Sequence, residues 1–558
     1  MDKKIGFGKY KNNLHCLSEA GTVSILSKLL NMKTKVKQND NYRQNQDPGN
    51  PENLPIQKHY KDNLNWIKAE LGNSGDVAFR EMYLDSVKGF AIYIDGLANN
   101  TMISDFFIEL VVKDTGETTS DPFQFIVEKA TGLGNFQVIN NWNEVYDSLL
   151  SGNTIIFVDG FAEAISVETK GWEKRSITEP TTQLSIRGPK DSFTETLRTN
   201  TALIRRRIKS PNLWLESMKI GTVTQTDIGI MYIKGIANDK IVDEVKKRLK
   251  RINMDGILGS GYIEQCIEDQ SMTTFPTTYM TERPDVVASQ LLEGRVAIIA
   301  DGSPFILTAP SVFIQFFQAP DDYYFRFDIA SSLRLLRVLS FFIALLGPAL
   351  YIAATTFHQE MIPTPMAIAI AAQRENVPFP AFVEALIMEV TFEILREAGL
   401  RLPRAVGQAV SIVGALVIGQ AAVQAGLVSP VMVIVVSLTA IANFATPSFP
   451  MAISARLVRF LLMFLATILG FFGIMLGLLA MFTHLCSLRS FGVPYMSPLA
   501  PFNLRHQQDT IFRFPIYTFK ERPPLMAKEN VVRMGSNQKP GPPKDQDKSS
   551  DFNKGDQQ

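Results

Sequence analysis

Hydrophobic positions are distributed unevenly along this chain. Residues 1–75 are rich in Asn, Lys, Gln and Asp, whereas residues 76–325 alternate short apolar runs with mixed polar stretches. Residues 333–487 are strongly apolar, and residues 488–558 return to a polar composition, most markedly after about residue 521. A polar segment buries too little apolar surface to offset the entropy of its chain. We therefore expect disorder in residues 1–75 and beyond about residue 521.

Two pairs of similar segments indicate an internal duplication before the apolar region. VKGFAIYIDGLANN (87–100) is echoed by TDIGIMYIKGIAND (226–239), and LLSGNTIIFVDGFAEAISV (149–167) is echoed by LLEGRVAIIADGSPFILTA (291–309). Each segment contains a short apolar run that ends at a glycine turn, as a buried strand does. Two pairs in the same order and at nearly the same offset predict two related α/β subdomains.

A basic connector, residues 181–214, separates these subdomains, which we place at 76–180 and 215–325. Its candidate partner-docking residues are Arg187, Arg198, Arg205, Arg206 and Arg207. One interpretation is a docking surface for a partner protein or for anionic lipid headgroups. The other is a solvated linker and helix whose arginines pair with local acids.

Four apolar segments after Leu333 have about the 20 residues that a membrane-spanning helix needs. They cover residues 335–357, 409–430, 431–450 and 457–485. Arginines beside several of their ends place those ends in the cytoplasm by the positive-inside rule. The whole pattern predicts an α/β soluble N-terminal region of two duplicated subdomains, followed by a polytopic all-α membrane domain of about five hydrophobic segments.

The remaining apolar stretch, residues 366–400, does not fit a single span. Pro378 and Pro380 interrupt it, because proline removes a backbone donor and clashes with the preceding turn. We expect a broken pair of helices enclosed by protein, since irregular backbone at membrane depth needs protein or water to satisfy it. A helix from about residue 381 to 398 should then return the chain to the cytoplasm.

That helix carries the candidate intramembrane or boundary acids, which are Glu384, Glu389, Glu393 and Glu397. The last three share one helical face with Arg396, and Glu384 lies away from that face. Acids at membrane depth are candidates for an ion path. They are equally explained by ion pairs with neighbouring arginines. Both interpretations stay open from the sequence.

The candidate pore-lining residues lie in the segment 409–430 and are Val413, Val417, Gln420 and Gln424. They share a helical face, on which apolar residues could form a dewetting gate and glutamines a wet vestibule. Small residues beside them also suit close helix packing, with the glutamines as hydrogen-bonding groups between helices. The residues alone favour packing slightly.

Composition excludes several function classes. The net charge of +1 predicts no basic surface for nucleic acid. Three widely spaced cysteines and five scattered histidines predict no disulfide framework, no metal site and no cofactor. No catalytic constellation stands out, so we expect no enzyme. The basic N-terminus lacks a following apolar run, which predicts no signal peptide and a cytoplasmic N-terminal domain.

Long motifs across residues 75–505 resemble the A subunit of GerA-type spore germinant receptors. They include RGPKDSFTETLRTNTALIRRRIKSPNL, TTFHQEMIPTP, VPFPAFVEALIMEVTFEILREAG and CSLRSFGVPYMSPLAP. A mild departure is Lys190-Asp191, where the family pattern would have Arg-Glu. The resemblance implies a multi-pass protein of the spore inner membrane that triggers spore germination.

The same resemblance implies the partners. Such A subunits act with a transporter-like B subunit and a lipoprotein C subunit, in contact with membrane lipid. They are thought to form homo-oligomeric ion channels that open when the B subunit binds a nutrient. This shifts the interpretation of the 409–430 helix from packing toward a pore.

Two alternatives remain. The membrane region could anchor a scaffold or accessory germination protein without conductance of its own. A secondary transporter is the third hypothesis, although such proteins usually repeat their membrane halves and the repeat here lies in the soluble part. The side of the C-terminus is also open, because five crossings place it outside, whereas a bend of 457–485 at Gly470 or Gly473 places it inside.

Overall fold

The computed structural model describes residues 54–84, 87–112, 122–131, 135–171, 179–401, 419–527, 529–535 and 538–541. The ordered chain begins earlier than the polar composition predicted. Helix α1 (Tyr60–Glu70) buries Tyr60, Leu64 and Ile67 against the first sheet, so residues 54–75 belong to the folded region. Apolar residues at helical spacing are enough for this short helix to dock, despite the polar residues between them.

The first subdomain is built on a five-stranded sheet. Its elements in chain order are β1 (Val77–Leu84), β2 (Val87–Ile94), α2 (Asn100–Val112), α3 (Pro122–Thr131), β3 (Phe136–Ile139), α4 (Trp142–Leu150), β4 (Thr154–Val158) and β5 (Ala164–Val167). All neighbouring strands are antiparallel, in the order β1-β2-β4-β5-β3. The central strands β2 and β4 are almost entirely buried, because α1 and α4 cover one face of the sheet and α2 and α3 cover the other.

The second subdomain repeats this arrangement. Its elements are α5 (Leu197–Arg205), β6 (Leu213–Ile220), β7 (Thr226–Ile233), α6 (Asp239–Arg251), α7 (Ser260–Ile267), β8 (Tyr279–Thr281), α8 (Pro284–Leu292), β9 (Val296–Ala300) and β10 (Ile306–Ala309). The strand order β6-β7-β9-β10-β8 is that of the first sheet. The repeated segments fall on matching strands, β2 with β7 and β4 with β9, as the duplication predicts.

The predicted connector at 181–214 is largely exposed over residues 181–190, but the helix that follows packs into the second subdomain. Helix α5 buries Leu197, Leu203 and Ile204 in the core of the second subdomain. Its last residue, Arg205, is buried and forms an ion pair with Asp76 of the first subdomain, with Nη2 donating to Oδ1 at 2.8 Å. This helix therefore joins the two sheets.

The C-terminal region is helical. After two short 3-10 helices (Phe313–Phe317 and Pro320–Tyr323), its elements are α9 (Phe327–Thr356), α10 (Thr364–Arg374), α11 (Ala381–Arg401), α12 (Gly419–Gln424), α13 (Pro430–Phe444), α14 (Phe449–Ser487), β11 (Arg489–Ser490) and β12 (Val493–Pro494). The break between α10 and α11 confirms the predicted interruption at Pro378 and Pro380. Helix α11 continues past its predicted end at about residue 398, because Gly399 lies inside it.

Among the described residues, two helices are long and apolar enough to cross a bilayer, α9 and α14. They correspond to the predicted spans 335–357 and 457–485. Helix α13 is apolar but shorter. The predicted span 409–430 is wrong at its C-terminal end, because α12 stops at Gln424 and Gly426 adopts a left-handed turn.

Helix α14 reverses direction at Gly470, whose φ of 60° and ψ of −139° are not helical. A Cβ built on Gly477 would lie 2.5 Å from Cδ2 of Leu462, and one built on Gly473 would collide with the Leu465 carbonyl oxygen. In a straight helix, residues 15 positions apart are separated by about 22 Å. The two halves of α14 therefore form an antiparallel hairpin, which realises the bend predicted at Gly470.

The segment after α14 packs back onto the soluble region. Arg522 Nε donates to the Leu292 carbonyl at 2.8 Å, and Ala527 pairs with Ala237. Met526 is buried. The expectation of disorder from residue 521 is therefore wrong as far as residue 527, and the described C-terminal segment lies on the same side as the α/β subdomains.

Candidate functional site

The acids of helix α11 are paired with arginines. Glu384, fully buried near the start of the helix, accepts a hydrogen bond from the Ser429 backbone N–H at 3.0 Å. The Arg374 Nε atom lies 3.3 Å from its other oxygen. Ser429 also lies 3.4 Å from the Tyr351 hydroxyl, near the end of α9 farthest from the soluble region. Glu384 thus holds α10, α11 and the turn before α13 together.

Farther along α11, two acids meet arginines of the membrane hairpin. Glu389 Oε2 lies 3.1 Å from Arg459 Nη2, and both side chains are 4% exposed. Glu393 accepts from Arg456 Nη1 at 2.5 Å and also contacts Arg396 of its own helix. These contacts join α11 to the first half of α14. Charged groups in a low-dielectric interior persist only when they are paired in this way.

Glu397 differs from the other three acids because its surroundings are exposed. It pairs with Arg401 four residues later at 2.8 Å, and both side chains are more than half exposed. Of the two sequence interpretations for this helix, the structure supports ion pairing for every predicted acid. The sequence signal was the run of arginines in the same region, but their partners lie up to 70 residues away.

The two predicted glutamines lie on one exposed face of α12. Gln420 and Gln424 are exposed, whereas Gly419 is buried and Val423 packs against the helical core. The i, i+4 spacing puts both amides on the same side of the helix. The other two predicted pore-lining residues, Val413 and Val417, lie outside the described residues.

The predicted docking arginines have separate environments. Arg205 is buried against Asp76 and is inaccessible to a partner. Arg207 binds Asp191 at 2.6 Å, and Arg198 lies 3.5 Å from Asp95.

Arg187 and Arg206 are exposed. The Arg187 backbone N–H donates to Asp321 at 3.3 Å, which fixes its loop beside the entry to α9. These two arginines are the members of the predicted set whose side chains lie mainly on the surface.

Sequence reasoning missed a loop that touches the membrane hairpin, residues 268–278, which we call the membrane-contact loop. Thr273 Oγ1 lies 3.0 Å from His484 Nε2 in the second half of α14. Ser454, in the first half, donates to the Thr274 carbonyl. The loop therefore contacts both ends of the hairpin. The polar run in QSMTTFPTTY indicates a turn, but it does not indicate that this turn contacts α14.

Two acids lie at the base of this loop. Glu264 accepts from Thr278 Oγ1 at 2.6 Å, and Glu268 accepts from Thr277 Oγ1 at 3.1 Å. Burial raises the pKa of Glu264, and burial together with the charge of Glu264 raises the pKa of Glu268. Both carboxyl groups therefore take up a proton at a higher pH than they would in water.

A second unpredicted cluster lies where the soluble region enters α9. Arg334, fully buried, binds Asp322 at 3.0 Å and Asp509 at 2.8 Å, and Arg337 also binds Asp322. Both arginines are among those that flank the predicted span 335–357, where the positive-inside rule places the cytoplasm. They connect α9 to both the α/β region and the C-terminal segment, because the partner acids come from those two parts of the chain. Within the described ranges, no group of three or more His, Cys, Asp or Glu side chains is arranged to hold a metal ion.

Comparison with known proteins places this arrangement in context. The family model described as Bacillus/Clostridium GerA spore germination protein matches residues 65–525. Spore germination protein KA of Bacillus subtilis (strain 168) is 58% identical over 483 residues, which cover 86% of this chain and 89% of that protein. Spore germination protein A1 of the same strain is 41% identical over 486 residues, which cover 87% and 99%.

A solved structure also matches part of the chain. It is the crystal structure of the N-terminal domain of the A subunit of the Bacillus megaterium spore germinant receptor GerK3, with 44% identity and a TM-score of 0.38. The match covers 47% of this chain and 99% of that one. Because the family model spans most of the chain and the relatives are this similar, the chain belongs to the GerA spore germination family of germinant receptor A subunits.

Proposed function

We propose that this chain is the A subunit of a nutrient receptor in the spore inner membrane and that its oligomer forms an ion channel. Nutrient binding on a transporter-like B subunit opens the channel, with a lipoprotein C subunit completing the receptor. Family membership supports the role in germination. The channel assignment is supported by the exposed glutamine face of α12.

The contrast between α12 and α13 carries the channel proposal. Helix α13 exposes Ile434, Leu438 and Ile441, which suit contact with lipid tails. Helix α12 instead exposes Gln420 and Gln424. An amide facing hydrocarbon loses its hydrogen bonds with water, so it needs water or a polar neighbour. A water-filled path between copies of the chain satisfies both amides.

Depth in the membrane region agrees with this assignment. The turn that follows α12 reaches Ser429, which contacts Tyr351 near the far end of α9. The glutamines therefore lie toward the side away from the soluble region, as a wet vestibule would. The paired acids of α11 are not needed for conduction, because their charges already have arginine partners.

In this proposal the soluble region connects the B subunit to the membrane helices. We propose that the exposed Arg187 and Arg206 contribute to a surface for the B subunit or for lipid headgroups. The membrane-contact loop touches both halves of the α14 hairpin and can pass a movement of the second subdomain to it. The N-terminal region and the C-terminal segment both lie in the cytoplasm in this arrangement.

Ion release from spores tests the channel. We expect Val413→Glu and Gln420→Glu to change the rate of nutrient-triggered cation release, because both add a charge to the proposed path. The matched control is Leu438→Gln, which puts a polar side chain on the exposed face of α13. Receptor levels in the spore membrane are measured alongside.

Normal cation release and normal germination in both path variants, at normal receptor levels, would contradict the channel. The absence of ion flux in reconstituted vesicles, with any nutrient, would instead favour a scaffold without conductance.

A further inference from the structure

The C-terminal segment and the second subdomain form a partly open cavity of about 280 Å³, which we call the tail cavity. One wall comes from the start of β9 and the 3-10 helix that follows the second sheet. The other comes from residues 493–533. Gly294 allows the close approach, since its φ is +92° and a Cβ there would meet the Met526 carbonyl oxygen at 3.0 Å. The cavity exists because the tail is folded onto the subdomain.

Most of the lining is apolar. It includes Val312, Ile314, Val493, Phe519 and Met526. Pockets of this kind bind small molecules through apolar contacts, and a few polar groups fix the orientation. Polar groups line both walls, and those of the subdomain wall are Glu293, Arg295, Gln315 and Gln318.

One of these groups lacks a partner. Gln315, 4% exposed, accepts a hydrogen bond from Arg295 Nη1 through its Oε1 atom. Among the described residues its Nε2 atom has no acceptor, although it is buried. A buried donor without an acceptor costs free energy, which a bound acceptor would recover. Gln315 lines the cavity beside Arg295.

The same corner has an excess of positive charge. Arg295 and Arg533 share one carboxylate, Glu293, at 3.4 Å and 3.7 Å. Arg295 also donates to the Pro310 carbonyl at 2.8 Å, and burial lowers the pKa of its guanidinium. Of the other charged lining groups, Asp509 is bound by Arg334 and Glu521 is exposed. His506 lies on the opposite wall.

We propose that the tail cavity binds a small organic anion that consists of an apolar group and one carboxylate. The carboxylate accepts from Gln315 Nε2 and faces Arg295 and Arg533, while the apolar part lies among Ile314, Phe519 and Met526. Because both walls contact the ligand, occupancy holds the C-terminal segment on the second subdomain. This site is separate from the glutamine face of α12 and does not depend on conduction.

Three probes of similar shape test the proposed selectivity. They are 3-phenylpropanoate, its primary amide and 3-phenylpropylammonium, titrated into the full-length protein in nanodiscs, with empty nanodiscs subtracted. Calorimetry or ligand-observed NMR gives the affinities. We expect the carboxylate to bind at least about tenfold more tightly than the amide, because its hydrogen bonds are charge-assisted.

Gln315→Glu is the decisive variant. It keeps an oxygen that accepts from Arg295 but replaces the free donor with a carboxylate oxygen. We expect carboxylate affinity to fall at least about tenfold and ammonium affinity to rise. Arg533→Gln should weaken carboxylate binding in the same direction. Arg326→Gln, which removes an exposed charge outside the cavity, should leave the affinity unchanged.

Equal affinities for the three probes would overturn the proposal. So would unchanged carboxylate affinity in Gln315→Glu, or the absence of binding to the wild-type protein with an intact thermal transition. None of these results bears on ion conduction, so the proposal and the channel assignment fail independently.

Discussion

Two buried ion pairs can be compared, Arg205–Asp76 in the α/β region and Arg459–Glu389 among the membrane helices. Water surrounds the first region and lipid surrounds the second. The first pair joins the two sheets, and its alternative state is hydration by water. The second pair joins α11 to the α14 hairpin, where the alternative is a charge facing hydrocarbon or another protein group. The same chemistry therefore fixes subdomain contacts in one half and helix positions in the other.

This difference separates the role of the two halves. The soluble region repeats one sheet topology, and its divergence lies in the loops and connectors. In the membrane region, buried ion pairs join helices that also pack through an apolar core. The membrane-contact loop and the cluster around Arg334 join the two halves, so these contacts are where a signal from the soluble region would reach the helices.

The largest effect is expected for Asp76→Ala. It leaves Arg205 buried without a carboxylate, which typically costs about 3–5 kcal/mol. Pulse proteolysis in denaturant, with cleavage monitored in the soluble region, measures the free energy of unfolding. Lys190→Ala, at an exposed pair, is the control. A loss below about 1 kcal/mol would show that the buried pair does not hold the sheets together.

Glu389→Ala should have the next largest effect. An unpaired arginine in a membrane helix costs up to about 2.5–3.5 kcal/mol, which is the value for the helix centre on insertion scales. We expect a lower thermal transition for the full-length protein in detergent. The double variant Glu389→Gln with Arg459→Gln should recover most of the loss, because it removes both charges. Equal destabilisation by the double variant would mean that packing, and not the charge, is responsible.

A smaller effect, dependent on pH, is expected at Glu264, because this group can take up a proton instead of remaining charged. Its folded-state pKa is raised by burial. The stabilising contribution of such a group is fully present at pH values below the pKa of an ordinary carboxyl group. It is lost as the pH rises through the pKa of the folded state.

Glu264→Gln should therefore be more stable than the wild type at neutral pH and should show a flatter pH dependence of unfolding. Thermal unfolding between pH 4 and 8 checks this. A steeper pH dependence in the variant would contradict the assignment.

The smallest effect is expected for Glu397→Ala, at the exposed end of the same helix that holds Glu389. An exposed i, i+4 pair contributes about 0.3–0.5 kcal/mol and weakens with salt. The thermal transition should therefore shift little, and the shift should shrink in high salt. A loss as large as that of Glu389→Ala would remove the distinction between buried and exposed pairs on α11.

The sequence predicts the parts of the fold that depend on neighbouring residues. Strands β2 and β7 were recognisable because their apolar runs and turns are local, and Pro378 and Pro380 break a helix wherever they occur. The partners of Arg205 and Arg459 were not recognisable, because Asp76 and Glu389 are far away along the chain. The folding of residues 521–527 was not predicted for the same reason, since Met526 is buried by contacts with residues of the second subdomain, which are distant along the chain.

For the candidate site residues, the sequence predicts which helical face each one occupies. It does not predict which residues of other helices they contact. The spacing of Gln420 and Gln424 correctly places them on one face. Whether an acid such as Glu393 faces an ion path or an arginine depends on Arg456 of another helix, which spacing within α11 does not specify.

Water accessibility of the α12 face tests the channel account most directly. In a background with Cys16, Cys266 and Cys486 replaced by serine, Gln420→Cys and Gln424→Cys are compared with Ile434→Cys and Leu438→Cys in receptor-containing membranes. The account predicts that a membrane-impermeant thiol reagent modifies the two α12 positions and spares the two α13 positions. Protection of both α12 positions, with or without nutrient, would contradict it.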